Sequence, residues 1–140
     1  MNGWDIKTIL LGYDGSEGAK SAARLAAVLA RQSNARIVVH TTFHWSYSLD
    51  AMGEQARRAA DEAERIAGEM ASELRAEGIE AAPETREGQA GEVLVHSALT
   101  LGADLIVVGR RGHGLTSSLL LGSTSEYVVR RATAPVLVAH

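Results

Sequence analysis

The residues best suited to chemistry lie close together in "GRRGHGLTSSLLLGSTSE", positions 109–126. Gly109, Gly112, Gly114 and Gly122 bracket Arg110, Arg111, His113 and a group of hydroxyls. Glycine is costly inside regular structure, so such a cluster marks tight backbone geometry or close approach by another group. A backbone that turns at Gly109 and Gly112 can expose successive N–H groups, and such concave arrays bind anions. Ser123-Thr124-Ser125-Glu126 reads as a capping box, with Ser123 at the cap and Glu126 three residues on. A helix start is itself an anion site, with free N–H groups and a favourable dipole. Loop and helix could therefore hold one polyphosphate, with the Ser123 and Ser125 hydroxyls adding hydrogen bonds. Spacing alone leaves plainer readings open. The glycines could serve turn geometry only, Ser123 could cap without a ligand, and Arg110 and Arg111 could simply be solvated. Asp14 is a second chemical group of interest, either as an acceptor for a ribose or base or as a turn cap with Ser16.

Other arrangements fail on spacing. "GAKS" at 18–21 misses a phosphate-loop lysine, because Ala19 separates the glycine from Lys20. "GRRGHG" is not a dinucleotide fingerprint. His40 and His44 lie four apart on a strand and a loop, not on one helical face, which is poor geometry for a metal. His96 reads as an ordinary helix histidine. No residue set reads as catalytic, and none as a metal site built from side chains.

The elements that must position these groups alternate strictly. Apolar strands are expected at Lys7–Tyr13, Ala35–Phe43 and Ala103–Val108, a weaker one at Glu80–Glu87, and a last one at Pro135–Ala139. Helices are expected from a Ser16 cap to about Gln32, over Ala51–Glu77, over Glu92–Leu101 and over Thr124–Ala132. Gly88–Gly91 reads as a turn. Pro83 cannot donate to a ladder and places its strand at an edge. The β-α-β-α-β-α-β-loop-α-β order argues an α/β domain, a parallel sheet with helices on both faces. Ligands in such sheets sit beyond the carboxyl ends of the strands, where the strand order reverses. If the first and fourth strands are neighbours, Asp14 and the glycine loop share one crevice.

Composition narrows the function. The chain has 140 residues, the size of one domain, and 46% hydrophobic residues supply its core. No cysteine is present, which excludes disulfides and thiolate metal sites. A formal charge of −3 gives no global basic field for nucleic acid. The N-terminal apolar run is too short to span a membrane, and its flanks lack the layout of a signal peptide. The expectation is a cytoplasmic protein with neither nucleic acid nor membrane as partner.

Gly109-x-x-Gly112, then Gly122-Ser123 after nine further residues, resembles the nucleotide-binding signature of the universal stress protein family. "ILLGYDGSEGAKSAARLAA" is similar to the family's first strand, aspartate and first helix. "IVVHTTF", "ADLIVVGRRGHG" and "LLLGSTSEYVVRRATAPVLV" extend the resemblance over most of residues 1–140, read as a single domain of this family. The resemblance implies a Rossmann-like fold, of the adenine nucleotide alpha hydrolase type, with a five-stranded parallel sheet in the order 3-2-1-4-5. It implies ATP as the ligand, with Mg²⁺ bridging phosphates. Gly12, Tyr13 and Asp14 would lie near the adenosine, and the Thr41 backbone at the adenine. Gly109, Arg110, Arg111, Gly112, His113 and Gly114, with Gly122, Ser123, Thr124 and Ser125, match the ribose and phosphate segments. It further implies a homodimer paired through Pro135–His140. An apolar strand at a sheet edge gives that pairing a physical reason. The function so implied is a regulatory, stress-response nucleotide binder. A slow ATPase, and a partner-binding dimer with an empty crevice, are the alternatives.

Overall fold

The computed structural model of the chain describes residues 4–44, 53–110 and 121–140. Five strands and four helices alternate: β1 Thr8–Gly12, α1 Glu17–Ser33, β2 Arg36–Phe43, α2 Glu54–Ala76, β3 Ala81–Glu87, α3 Ala90–Leu101, β4 Leu105–Gly109, α4 Ser123–Arg131 and β5 Val136–Ala139. The strands form one sheet in the order β3-β2-β1-β4-β5, and every pairing is parallel. The expected α/β architecture and strand order are therefore those of the molecule. Pro83 does lie on an edge strand, β3.

Side chains alternate across a strand, so a sheet covered on both faces needs apolar residues throughout its centre. Ile9, Leu11, Ile37, Val39, Leu105 and Val107 face one side, where they join the buried alanines of α1 and Ala67, Ala71 and Leu74 of α2. Leu10, Val38, Ile106 and Val108 face the other, against Leu94 and Ala98 of α3 and Val128 of α4. Helix α1 can lie close because its buried stripe, Ala19, Ala22, Ala23, Ala26, Ala27 and Ala30, has no bulk. Its ends are set by local chemistry. The Ser16 hydroxyl accepts from Ala19 N–H at 3.2 Å, and Asn34 closes the helix in the left-handed region at φ 57°. Strand β1 is fixed at its start by the Asp104 carboxylate, which accepts from the N–H groups of Lys7 and Thr8 at 2.9 and 3.0 Å.

Two local expectations change. The Gly88–Gly91 turn is shorter than expected, because α3 already begins at Ala90. Gly91 is a glycine for packing: a Cβ there would lie 2.7 Å from Tyr127 of α4. The Ser123 cap is also corrected. Gly122 is the N-cap of α4, with extended backbone and no side-chain cap bond, and Ser123 is the first helical residue. The Gly122 carbonyl accepts the first helical bond, from Glu126 N–H at 2.9 Å.

Candidate nucleotide-binding site

Strand order brings the carboxyl ends of β1 and β4 side by side. Above them lies a cavity of about 400 Å³, within the range of roughly 300–1,000 Å³ usual for small-ligand sites. It collects groups from six parts of the chain, among them Ser16 and Ala19 at the start of α1 and His40 and Thr42 of β2. Gly12, Tyr13 and Asp14 come from the β1 end, and Val108 and Gly109 from the β4 end. Gly122, Ser123, Thr124 and Ser125 come from the start of α4, and Ala90 and Leu94 from α3.

Eight of the residues singled out in the sequence thus border one space: Gly12, Tyr13, Asp14, Gly109, Gly122, Ser123, Thr124 and Ser125. Thr41 does not. It is buried, and its hydroxyl donates to the Tyr13 carbonyl at 2.8 Å. The β2 residues that do reach the cavity are its neighbours His40 and Thr42. Arg110 also turns away: its guanidinium donates to His140 Nδ1 at 3.3 Å, and its N–H to the Ala139 carbonyl at 2.8 Å. Arg111, Gly112, His113 and Gly114 lie outside the described residues.

The start of α4 is held by Arg110. The Arg110 carbonyl accepts from Gly122 N–H at 2.7 Å and from the buried Ser125 hydroxyl at 2.8 Å. This fixes the start of the helix, whose first N–H groups have no intrahelical partner, at the cavity that Ser123, Thr124 and Ser125 line. Gly109 has an internal role as well. A Cβ there would lie 2.6 Å from the Gly18 backbone, so this glycine lets α1 close on the end of β4.

Asp14 makes an Asx turn, its Oδ1 accepting from Ser16 N–H at 2.9 Å. Tyr13 is buried, and burial, reinforced by the charges of Glu73 and Asp14, raises its phenol above the ordinary value. His40 is 1% exposed. Burial lowers its imidazole below the ordinary value, and the adjacent Glu84 opposes this only in part. The ring sits between two partners: Nδ1 is 2.6 Å from Glu84 Oε2, and Nε2 is 3.0 Å from Thr42 Oγ1. By spacing alone His40 stands out only as half of a metal pair with His44. Its place at the cavity was readable from alternation along β2, which puts Val38, His40 and Thr42 on one face. Among the described residues, no three His, Asp or Glu side chains converge to hold a metal.

The chain matches the universal stress protein family over residues 5–140. It belongs to that family. A universal stress protein of Thermus aquaticus is 40% identical over 142 residues, covering 96% of this chain and 99% of the relative. The structure of a universal stress protein in complex with cAMP superposes with a TM-score of 0.76 at 27% identity, covering 96% of this chain and 97% of the other. The universal stress protein UspA from Lactobacillus plantarum shares the fold at a TM-score of 0.86 and 23% identity, over 99% of this chain and all of the other. The family's fold and the strand order read from this chain are therefore the same.

Proposed function

We propose that this universal stress protein binds an adenine nucleotide, ATP foremost, in the cavity between the ends of β1 and β4. The reading is carried by one observation: Asp14 and the free N–H end of α4 border the same space. Their chemistry is complementary along a nucleotide. A carboxylate accepts from ribose or base donors, and a helix N-terminus favours phosphate. The apolar Leu94, Val108 and Ala90 offer surface for a flat base or sugar. A family member of similar structure, crystallised with cAMP, supports an adenine nucleotide as the ligand class. Any Mg²⁺ would be held by phosphate oxygens and water, as is usual for this ion at nucleotides.

In this reading the protein is a regulator, and nucleotide occupancy is its signal. The partner face is a second copy of the chain docked on β5. Val136, Leu137 and Val138 there are half-exposed, on a strand that among the described residues pairs with β4 alone. Catalysis is not required; phosphate release in a single turnover measures it directly.

Isothermal titration with ATP, ADP and cAMP tests the site. ATP is expected to bind to the wild type, and Gly112→Val combined with Gly122→Val to abolish that binding. Unchanged ATP affinity in the double variant, with its circular dichroism intact, would overturn the assignment.

A further inference from the structure

The His40–Glu84 pair lies beneath the β2 end of the cavity, and the proposed function makes no use of it. A buried neutral imidazole carries one N–H and one bare nitrogen. The Glu84 carboxylate can only accept, and it lies 2.6 Å from Nδ1, so the ring proton belongs on Nδ1. Nε2 is then bare and must accept. The group 3.0 Å away is the Thr42 hydroxyl, which has a single proton to give. That proton is committed to His40. What Thr42 has left is lone-pair density, and Thr42 borders the cavity.

We infer that Thr42 sets the polarity of the β2 end of the cavity: through His40 and Glu84 its hydroxyl is fixed as an acceptor, so the ligand group seated against it is a neutral N–H or O–H donor. The inference rests on the nucleotide reading above and adds the chemical character of the ligand group that faces Thr42. A phosphate oxygen is an acceptor and an anion. At Thr42 it would meet another acceptor, with the Glu84 carboxylate close behind. At the start of α4 it meets donors. The group seated against Thr42 is therefore a donor of the nucleoside and not a phosphate oxygen. Two nucleoside groups have the required chemistry, the 6-amino group of adenine and a ribose hydroxyl.

Thr42 is only half-buried, so its variants are expected to fold, and thermal unfolding checks this. ATP, inosine triphosphate, 2′-deoxy-ATP and 3′-deoxy-ATP are titrated into wild type, Thr42→Ser and Thr42→Val at neutral pH. Inosine triphosphate replaces the amine by a carbonyl; each deoxy analogue removes one hydroxyl. The wild type is expected to bind one analogue about threefold to tenfold more weakly than ATP, the worth of one neutral hydrogen bond. The identity of that analogue names the donor. Thr42→Ser is expected to keep the ratio and Thr42→Val to reduce it to about one. Equal binding of all four ligands by the wild type, or a ratio that survives in Thr42→Val, would overturn the role of Thr42 and leave the nucleotide site standing. Absence of binding of all four to the wild type would reject the nucleotide site itself.

Discussion

Gly109 and Gly68 show how differently two glycines are constrained. A methyl at Gly109 would press on the Gly18 backbone at 2.6 Å, and neither chain can yield without moving β4 or α1. Gly109→Ala should therefore cost about 1–3 kcal/mol in urea unfolding, the range for overpacking. Gly68, inside α2, has no atom within 4 Å of the corresponding position, and Gly68→Ala should stabilise by about 0.5–1 kcal/mol. Both glycines carry the same letter. The sequence suggested ligand approach at Gly109, where the structure also supplies a packing reason, because the contact with Gly18 crosses ninety-one positions of chain. His40 yields a prediction of pH dependence. Its folded pKa lies below its unfolded value of about 6.5, so unfolding takes up a proton once the pH falls below that value. Its contribution to stability is full above about pH 6.5 and declines as the pH falls toward the folded pKa. The stability difference between wild type and His40→Gln should shrink from about pH 7.5 to about pH 5.5. A difference that grows over that interval would refute the neutral imidazole.

Among the elements, α4 depends most on contacts outside itself. It is nine residues long, and its cap, Gly122, supplies no side-chain bond. The Ser125 hydroxyl supplies an anchor instead, donating to the Arg110 carbonyl at 2.8 Å, with the Gly122 carbonyl at 3.1 Å. Ser125→Ala should lower stability by about 1 kcal/mol, seen in urea unfolding, and should weaken ATP in titration if α4 holds the phosphates. A loss of stability with full ATP affinity would separate the helix from phosphate binding. Element order and type were legible because four of the five strands are short apolar runs and because Gly78 and Gly102 stop α2 and α3. The starts of α3 and α4 were less so. "GQAG" has the composition of a turn, yet Gly91 is helical because Tyr127 needs its space. "GSTSE" has the letters of a capping box, yet the cap fell one residue earlier, since the Ser125 hydroxyl and Gly122 N–H converge on the Arg110 carbonyl. These are tertiary contacts, and local pattern carries no record of them. The resemblance gives Thr41 a role only through its backbone; its hydroxyl is turned to the Tyr13 carbonyl, and the two-residue period of β2 sends the side chains of His40 and Thr42 to the cavity instead.

At the scale of the molecule, the two sheet edges differ in kind. Strand β3 carries Pro83 and the charged Glu84, Arg86 and Glu87, devices that discourage a further strand. Strand β5 carries Val136, Leu137 and Val138 and has no such guard. Self-association should therefore run through β5. Sedimentation should give a dimer for wild type and a monomer for Val136→Lys, with circular dichroism unchanged. A monomeric wild type would reject the pairing. Among the described residues no helix is long and apolar enough to cross a membrane. The hydrogen bond from Gly122 N–H to the Arg110 carbonyl at 2.7 Å has a consequence of another kind. It ties the two ends of the intervening stretch together, as a stem closes a hairpin in RNA. The start of α4 takes its position from this stem, since both the Gly122 N–H and the Ser125 hydroxyl meet the Arg110 carbonyl. A closed stem of this kind makes the cost of a longer connection small, because each doubling of loop length adds only about 0.6 kcal/mol of closure entropy. A stem anchored at Arg110 and Gly122 thus separates where the chain re-enters the fold from how long a path it takes to get there.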